Sequence, residues 1–191
     1  MQPIDVVAIG VSAGGMKALA TLLAHLPKDY SVPIIIVQHL LEGSESFLVE
    51  YLNDMVPIHI QEAIDKEPLR PGCVFLAPPG YHLLVEDGCS LSLSMDPKVN
   101  YSRPSIDVLF DSAAFVFQEK CLGIILTGAN QDGSAGLRTI KANGGMTIVQ
   151  CPETAEYPAM PLAAIQHVAV DHIMSLDEIG EFLITLQRAR P

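Results

Sequence analysis

Basic residues are scarce in this chain: 11 lysines and arginines stand against 22 aspartates and glutamates in 191 residues, a formal charge of −11. No Lys/Arg cluster and no basic stripe interleaved with aromatics occurs, so the phosphate-neutralising surface that a nucleic-acid partner requires is missing. An acidic excess of this size speaks to solubility and names no partner. Long apolar runs are missing too. Val32 to Val37 and Gly123 to Leu126 are of strand length, far below the roughly 20 residues that span a bilayer as a helix, so no membrane insertion is expected. Met1-Gln2-Pro3 leads directly into Ile4 to Ile9 without a basic stretch, so no secretory signal is read and the expected location is cytoplasmic.

The cysteines are few and unpatterned. Cys73, Cys89, Cys121 and Cys151 form no C-x-x-C or zinc-like spacing, and all but Cys151 lie within or beside apolar strand patterns. They are read as buried free thiols in a reducing compartment. No His-x-x-x-His or Cys/His pair suggests a metal, and no cofactor is implied. Internal repeats, low-complexity tracts and flexible linkers are absent. Since 49% of residues are hydrophobic, residues 1–191 are read as one domain with a well-buried core.

What is present is an alternation of short aliphatic runs and amphipathic stretches. Ile4 to Ile9 reads as a strand. Met16, Leu19, Leu23 and Leu26 follow at helical spacing. Ile34 to Val37 is a second strand, and a helix from about Ser44 to Asn53 carries the stripe Phe47, Leu48, Tyr51 and Leu52. Two such units favour parallel pairing through right-handed crossovers. The middle differs: Val74 to Ala77, Tyr81 to Val85 and Ser90 to Ser94 are short runs split by Pro/Gly-rich segments. They read as an antiparallel hairpin turning at Asp87-Gly88.

Pro104 and Ser105 open a helix through about Phe117, with Ser102 or Ser105 as its cap. Leu122 to Leu126, Met146 to Val149 and Val168 to Val170 are further strands, while Leu137 to Lys141 and Met160 to Ile165 are helical. Ser175-Leu176-Asp177-Glu178 is a capping box, after which Ile179, Phe182, Leu183 and Leu186 stripe a closing helix. The expected architecture is α/β: a doubly wound, mostly parallel sheet with an inserted antiparallel β-hairpin.

Three segments stand just after core strands: Gly10-Val11-Ser12-Ala13-Gly14-Gly15, Gln38-His39, and Thr127 through Gly133. In a parallel sheet these strand ends share one edge, so their side chains converge. Gly10-x-Ser12-x-Gly14 has the spacing of a nucleophile elbow, and amides opening the following helix suit an oxyanion. A phosphate-binding or merely structural turn fits the same glycines. His39 could take a proton from Ser12 or simply bond local backbone. Asp132 could orient that imidazole or cap the next helix. The conjunction of Ser, His and Asp at three strand ends favours a serine hydrolase. The other histidines, at 25, 59, 82, 167 and 172, receive no role.

Dinucleotide and nucleotide sites fit poorly. The glycines stand at 10, 14 and 15 rather than in G-x-G-x-x-G, the second strand ends in Gln38-His39 where an acidic residue would hold a ribose, and no Walker-type loop occurs.

Over nearly its whole length the chain resembles the catalytic domain of the CheB-type chemotaxis protein-glutamate methylesterases. Ile9 to Gly15 resembles the family's I-G-A-S-T-G-G, Gln38-His39 its Q-H, and Leu126 to Gly133 its L-T-G-M-G-x-D-G. Ala77-Pro78-Pro79-Gly80, Arg103 to Phe110 and Met160-Pro161 resemble further family segments in the same order. The resemblance implies hydrolysis of glutamyl γ-methyl esters on the cytoplasmic helices of chemoreceptors, releasing methanol, with glutamine deamidation as a second activity. It implies Ser12 as nucleophile, His39 as base then acid, and Asp132 as the group orienting His39.

Departures from the pattern set two alternatives beside that reading. Ala13 stands where the family has threonine, Ala129 where it has methionine, and Asn130 where it has glycine. Oxyanion support then falls to the backbone at Ala13, Gly14 and Ala129. A homologue that binds receptors or another signalling protein without turnover is one alternative; a hydrolase of a different ester or amide is the other. Family members commonly carry an N-terminal receiver domain, whereas the catalytic strand here starts at Ile4. Either the chain is a free-standing member, for which constitutive activity or control by a separate signalling protein is expected, or it is a trimmed piece of a longer one.

Overall fold

The computed structural model describes residues 3–39 and 47–188. Aliphatic β-branched runs supply the sheet: β1 (Val6–Val11), β2 (Ile34–Gln38), β3 (His59–Glu62), β4 (Cys73–Leu76), β7 (Cys121–Ile125), β8 (Met146–Gln150) and β9 (His172–Met174) pair in the order β3-β4-β2-β1-β7-β8-β9. Every pairing in this sheet is parallel. Between β4 and β7 the chain forms the separate antiparallel pair β5 (His82–Glu86) and β6 (Ser90–Ser94).

The sheet is covered on both faces because successive strand residues point to opposite sides. Val7, Ile9 and Val11 of β1 join one core with α1 (Gly15–Leu23), α2 (Phe47–Met55) and α6 (Leu176–Arg188). Val6 and Ala8 join the other with α3 (Ile106–Phe117), α4 (Ser134–Ala142), α5 (Ala159–His167) and the hairpin residues Leu83, Val85 and Leu91. Central strands buried on both faces are continuously apolar rather than alternating, as in the sequence. From β1 the chain runs outward to β2 and on to the edge strand β3, comes back to β4 between them, and then crosses to β7 on the other side of β1. The reversal opens a crevice at the carboxyl ends of β1 and β7, where an α/β sheet gathers its functional groups.

Several local expectations change. The last strand is His172–Met174, not Val168 to Val170. Val168 instead closes α5, its N–H donating to Ala164 O, and its side chain is buried. Three valine-rich residues therefore serve as a packed connection rather than a ladder. Strand β3 was not anticipated; its burial is partial, so it carries little periodic signal. The hairpin turns through three residues, Asp87-Gly88-Cys89, with Gly88 and Cys89 both at positive φ. Cys89 is exposed and Cys151 half-buried, leaving only Cys73 and Cys121 as buried thiols. Met16 is 44% exposed and Leu22 takes the core position. The expected start of α2 at Ser44 lies outside the described residues. The Ser175 capping box is formed, with Glu178 accepting the Ser175 N–H at 2.7 Å.

Candidate active site

Past the end of β1 the ladder continues on both sides. Leu126 N–H donates to Gly10 O at 2.9 Å, Ser12 N–H to Thr127 O at 3.0 Å, and His39 N–H to Val11 O at 3.1 Å. These bonds fix the register of the three strand ends, so Ser12 and His39 meet although 27 residues separate them. The turn after Ser12 depends on its glycines. Gly14 adopts φ 77°, which favours glycine. A Cβ on Gly10 would lie 2.3 Å from Ile106 Cγ2, so α3 can close on β1 only over a bare backbone.

The Ser12 hydroxyl lies 3.2 Å from His39 Nδ1, and His39 Nε2 lies 2.9 Å from Asp132 Oδ2. The Asp132 side chain is fully buried and that of His39 is 12% exposed. Buried carboxylates require donors, and Asp132 has five. Oδ2 accepts from His39 and from Ile106 N–H at 2.7 Å; Oδ1 accepts from Asn100 Nδ2 at 2.9 Å, Ser105 Oγ at 3.0 Å and Asp107 N–H at 3.3 Å. Burial pushes this carboxyl upward, but the bonds from His39, Asn100 and Ile106 outweigh it and hold Asp132 below the usual carboxylate range. An ionised acceptor there fixes the proton on Nε2 and leaves the Nδ1 lone pair toward Ser12.

Asp132 does act as a helix cap, though for α3 rather than for α4, whose own cap position is taken by the next residue, Gly133. Ser105 sits at the cap position of α3, yet its hydroxyl donates to Asp132 and caps nothing. The amides of Ile106 and Asp107 bond to Asp132 instead. In exchange, Asp107 Oδ1 accepts Gly136 N–H of α4 at 2.7 Å. Burial first, with the nearby Asp132 charge adding to it, raises the Asp107 carboxyl above its ordinary value; the Gly136 and Asn100 bonds only partly offset this.

Other residues that carry the site are less visible from sequence. Asn100 occupies a two-residue turn with Tyr101, both at positive φ, closed by Val99 and Ser102. Its Nδ2 donates to both Asp107 Oδ2 (2.7 Å) and Asp132 Oδ1 (2.9 Å). Nothing local marks it, since Asp132 lies 32 residues on. Thr127 Oγ1 donates to Ala13 O at 2.9 Å and accepts Tyr157 N–H at 2.9 Å. Gln38 Nε2 donates to Ser12 O and His39 O. His82, given no role above, is buried and accepts Ser105 N–H at 3.2 Å, bracing the start of α3.

The backbone around Ser12 offers free donors. Gly128 N–H is spent on Tyr157 O, whereas among the described residues the amides of Ala13, Gly14 and Ala129 have no protein acceptor. Asn130 is not at positive φ, so asparagine in place of glycine strains nothing here. A cavity of about 440 Å³ beside the site is lined by Asn100, Tyr101, Ala129, Asn130, Ala159 and Ala163. No cluster of three metal-ligating side chains occurs among the described residues, and no helix among them is long and apolar enough to cross a membrane. Nucleophile, imidazole and carboxylate in a line, with free amides nearby, are the parts of acyl transfer.

The family described as CheB methylesterase is matched over residues 7–183. A protein from Leptospira interrogans is 47% identical over 184 residues, covering 96% of this chain and 95% of its own length. One from Clostridium acetobutylicum, named protein-glutamate methylesterase/protein-glutamine glutaminase, is 38% identical over 97% of this chain, which spans 54% of that relative. The crystal structure of the Thermotoga maritima CheB methylesterase catalytic domain superposes with a TM-score of 0.91 at 33% identity, covering 96% of this chain and 98% of that one.

Proposed function

The chain belongs to the CheB methylesterase family, and from that premise we propose that Ser12, His39 and Asp132 hydrolyse glutamyl γ-methyl esters on chemoreceptors and deamidate glutamine side chains by the same chemistry. The observation that carries this reading is the line from Asp132 through His39 to Ser12, at 2.9 and 3.2 Å. The chain is a protein-glutamate methylesterase, a carboxylic ester hydrolase. Residues 1–191 act as one catalytic domain, in the cytoplasm, on the cytoplasmic helices of methyl-accepting receptors.

In the first step Ser12 Oγ bonds to the ester carbonyl carbon while its proton passes to His39 Nδ1. Asp132, bonded to Nε2–H, holds the ring and stabilises the imidazolium. The amides of Ala13, Gly14 and Ala129 are the donors we assign to the developing oxyanion, aided by the amino end of α1. Collapse returns the proton from Nδ1 to the methoxy oxygen, methanol leaves, and an acyl-enzyme remains. Water then adds by the same route and frees the glutamate carboxylate and Ser12. With glutamine, ammonia leaves in place of methanol.

The test is methanol release from radiomethyl-labelled receptor by wild type and Ser12→Ala. Release by wild type alone supports the reading. Comparable release by both, or none by either while a known methylesterase cleaves the same receptor, overturns it.

A further inference from the structure

His39 Nδ1 has one lone pair and two donors aimed at it. Because Asp132 is ionised and accepts from Nε2, the Nδ1 atom is the acceptor of the neutral ring. The Ser12 hydroxyl lies 3.2 Å away, and so does the Asn130 side-chain amide, Nδ2. The orientation of that amide is set from its other end, where Oδ1 accepts Asp132 N–H at 3.0 Å, an Asx turn that directs Nδ2 at the imidazole. Once Ser12 has given up its proton, Nδ1 carries hydrogen and has no lone pair. Asn130 Nδ2–H then faces another N–H, and its carbonyl oxygen is already engaged. The carboxamide therefore favours the neutral ring and opposes the imidazolium.

We infer that the Asn130 carboxamide is a brake on the general base, holding His39 Nδ1 by a hydrogen bond that must break whenever Ser12 transfers its proton. The inference rests on the roles proposed above for Ser12 and His39. Asn130 is a positioning residue in this scheme: it acts through His39. It is exposed on the rim of the cavity beside the site, with room to swing aside.

A fluorophosphonate ester reads the brake without a receptor. Ser12 Oγ bonds to phosphorus, fluoride leaves, and the hydroxyl proton passes to His39. Asn130→Ser keeps a hydroxyl that can accept Asp132 N–H two residues on, but it is too short to reach the ring. The maximal labelling rate of Asn130→Ser is expected to rise roughly threefold to tenfold, the range for loss of one net hydrogen bond, with the half-saturating concentration unchanged. Asn130→Ala, which also loses the acceptor for Asp132 N–H, should label faster than wild type but gain less. A purely structural role for Asn130 gives the opposite order: wild-type labelling in the serine variant and slower labelling in alanine. That result, or labelling of the serine variant at or below the wild-type rate, overturns the brake. If wild type labels at Ser12 and Asn130→Ser is no faster, only the brake falls. If wild type is not labelled at all, the assignment of Ser12 and His39 falls with it.

Discussion

Asp132 and Asp107 each accept a backbone N–H at the start of the other's helix. Asp132, one residue before Gly133 and α4, takes the amides of Ile106 and Asp107 in α3, while Asp107 takes Gly136 N–H in α4. Helix amino ends favour negative charge, so each carboxylate gains amide donors that partly offset its burial, and the exchange joins the two helices at the carboxylate that holds His39. The orientation of His39 and the packing of α3 against α4 are thus held by the same atoms.

Asp132→Asn should separate those two duties. The amide keeps the side-chain volume but gives His39 Nε2–H a weaker, neutral acceptor and no longer enforces one tautomer. Turnover should fall by a factor on the order of 10⁴. Loss of a charged acceptor for five donors should also cost about 1–3 kcal/mol in urea unfolding. A variant that keeps near-wild-type turnover would remove Asp132 from the mechanism.

Asn100→Gly deletes the amide that bridges the two carboxylates while keeping positive φ available at that turn. Two like charges then lose their shared donor. Stability should fall by about 1–3 kcal/mol. Methanol release should slow although Ser12 and His39 are untouched. An unchanged melting temperature and unchanged turnover would contradict this.

The Asp107 carboxyl has a sign opposite to that of Asp132. Its folded-state value is raised above 3.8, so the native state holds its proton more tightly than the unfolded chain. Its contribution to stability is present below that unfolded value and is lost as pH rises through the raised one. Asp132, held low, contributes stability above the ordinary range that disappears as pH falls through its depressed value. Comparison of wild type with Asp107→Asn by denaturant titration across the acid range isolates the first effect. The difference in unfolding free energy, wild type minus variant, should decrease as pH rises from about 3.8 upward; a flat difference would exclude it.

Thr127→Val keeps the shape of the side chain and removes a hydroxyl that bonds Ala13 O and Tyr157 N–H. These partners tie the turn after Ser12 to the segment preceding α5. A loss of about 1–3 kcal/mol for the stranded groups is expected, with a drop in the rate of Ser12 labelling by a fluorophosphonate. Equal labelling rates would mean that the turn holds itself.

Thiol reactivity should follow burial. Cys89 is exposed, whereas burial pushes the Cys121 thiol up to about 12 and also raises that of Cys73. A disulfide reagent at neutral pH should modify Cys89 in the folded protein and reach Cys73 and Cys121 only on unfolding. Mass mapping after brief exposure checks the order.

The parallel strands, the scarcity of basic residues, and the places of Ser12, His39 and Asp132 in the segments that follow core strands were all legible in the order of residues. These are local properties: runs of Ile and Val leave few alternatives to buried parallel strands, and the breakers after them mark where chemistry can sit. The Ser175 capping box was equally legible because its bonds close within three residues. Packing across the fold settled which helix Asp132 caps, that Asn100 bridges two carboxylates, that Asn130 shares His39 with Ser12, and that the last strand starts at His172 rather than Val168. Each of these depends on groups brought together across the fold. Asn100 meets Asp132 over 32 residues and Asn130 meets His39 over 91. No periodicity or local propensity encodes a hydrogen bond at that separation; it exists once the sheet has set its strand ends side by side.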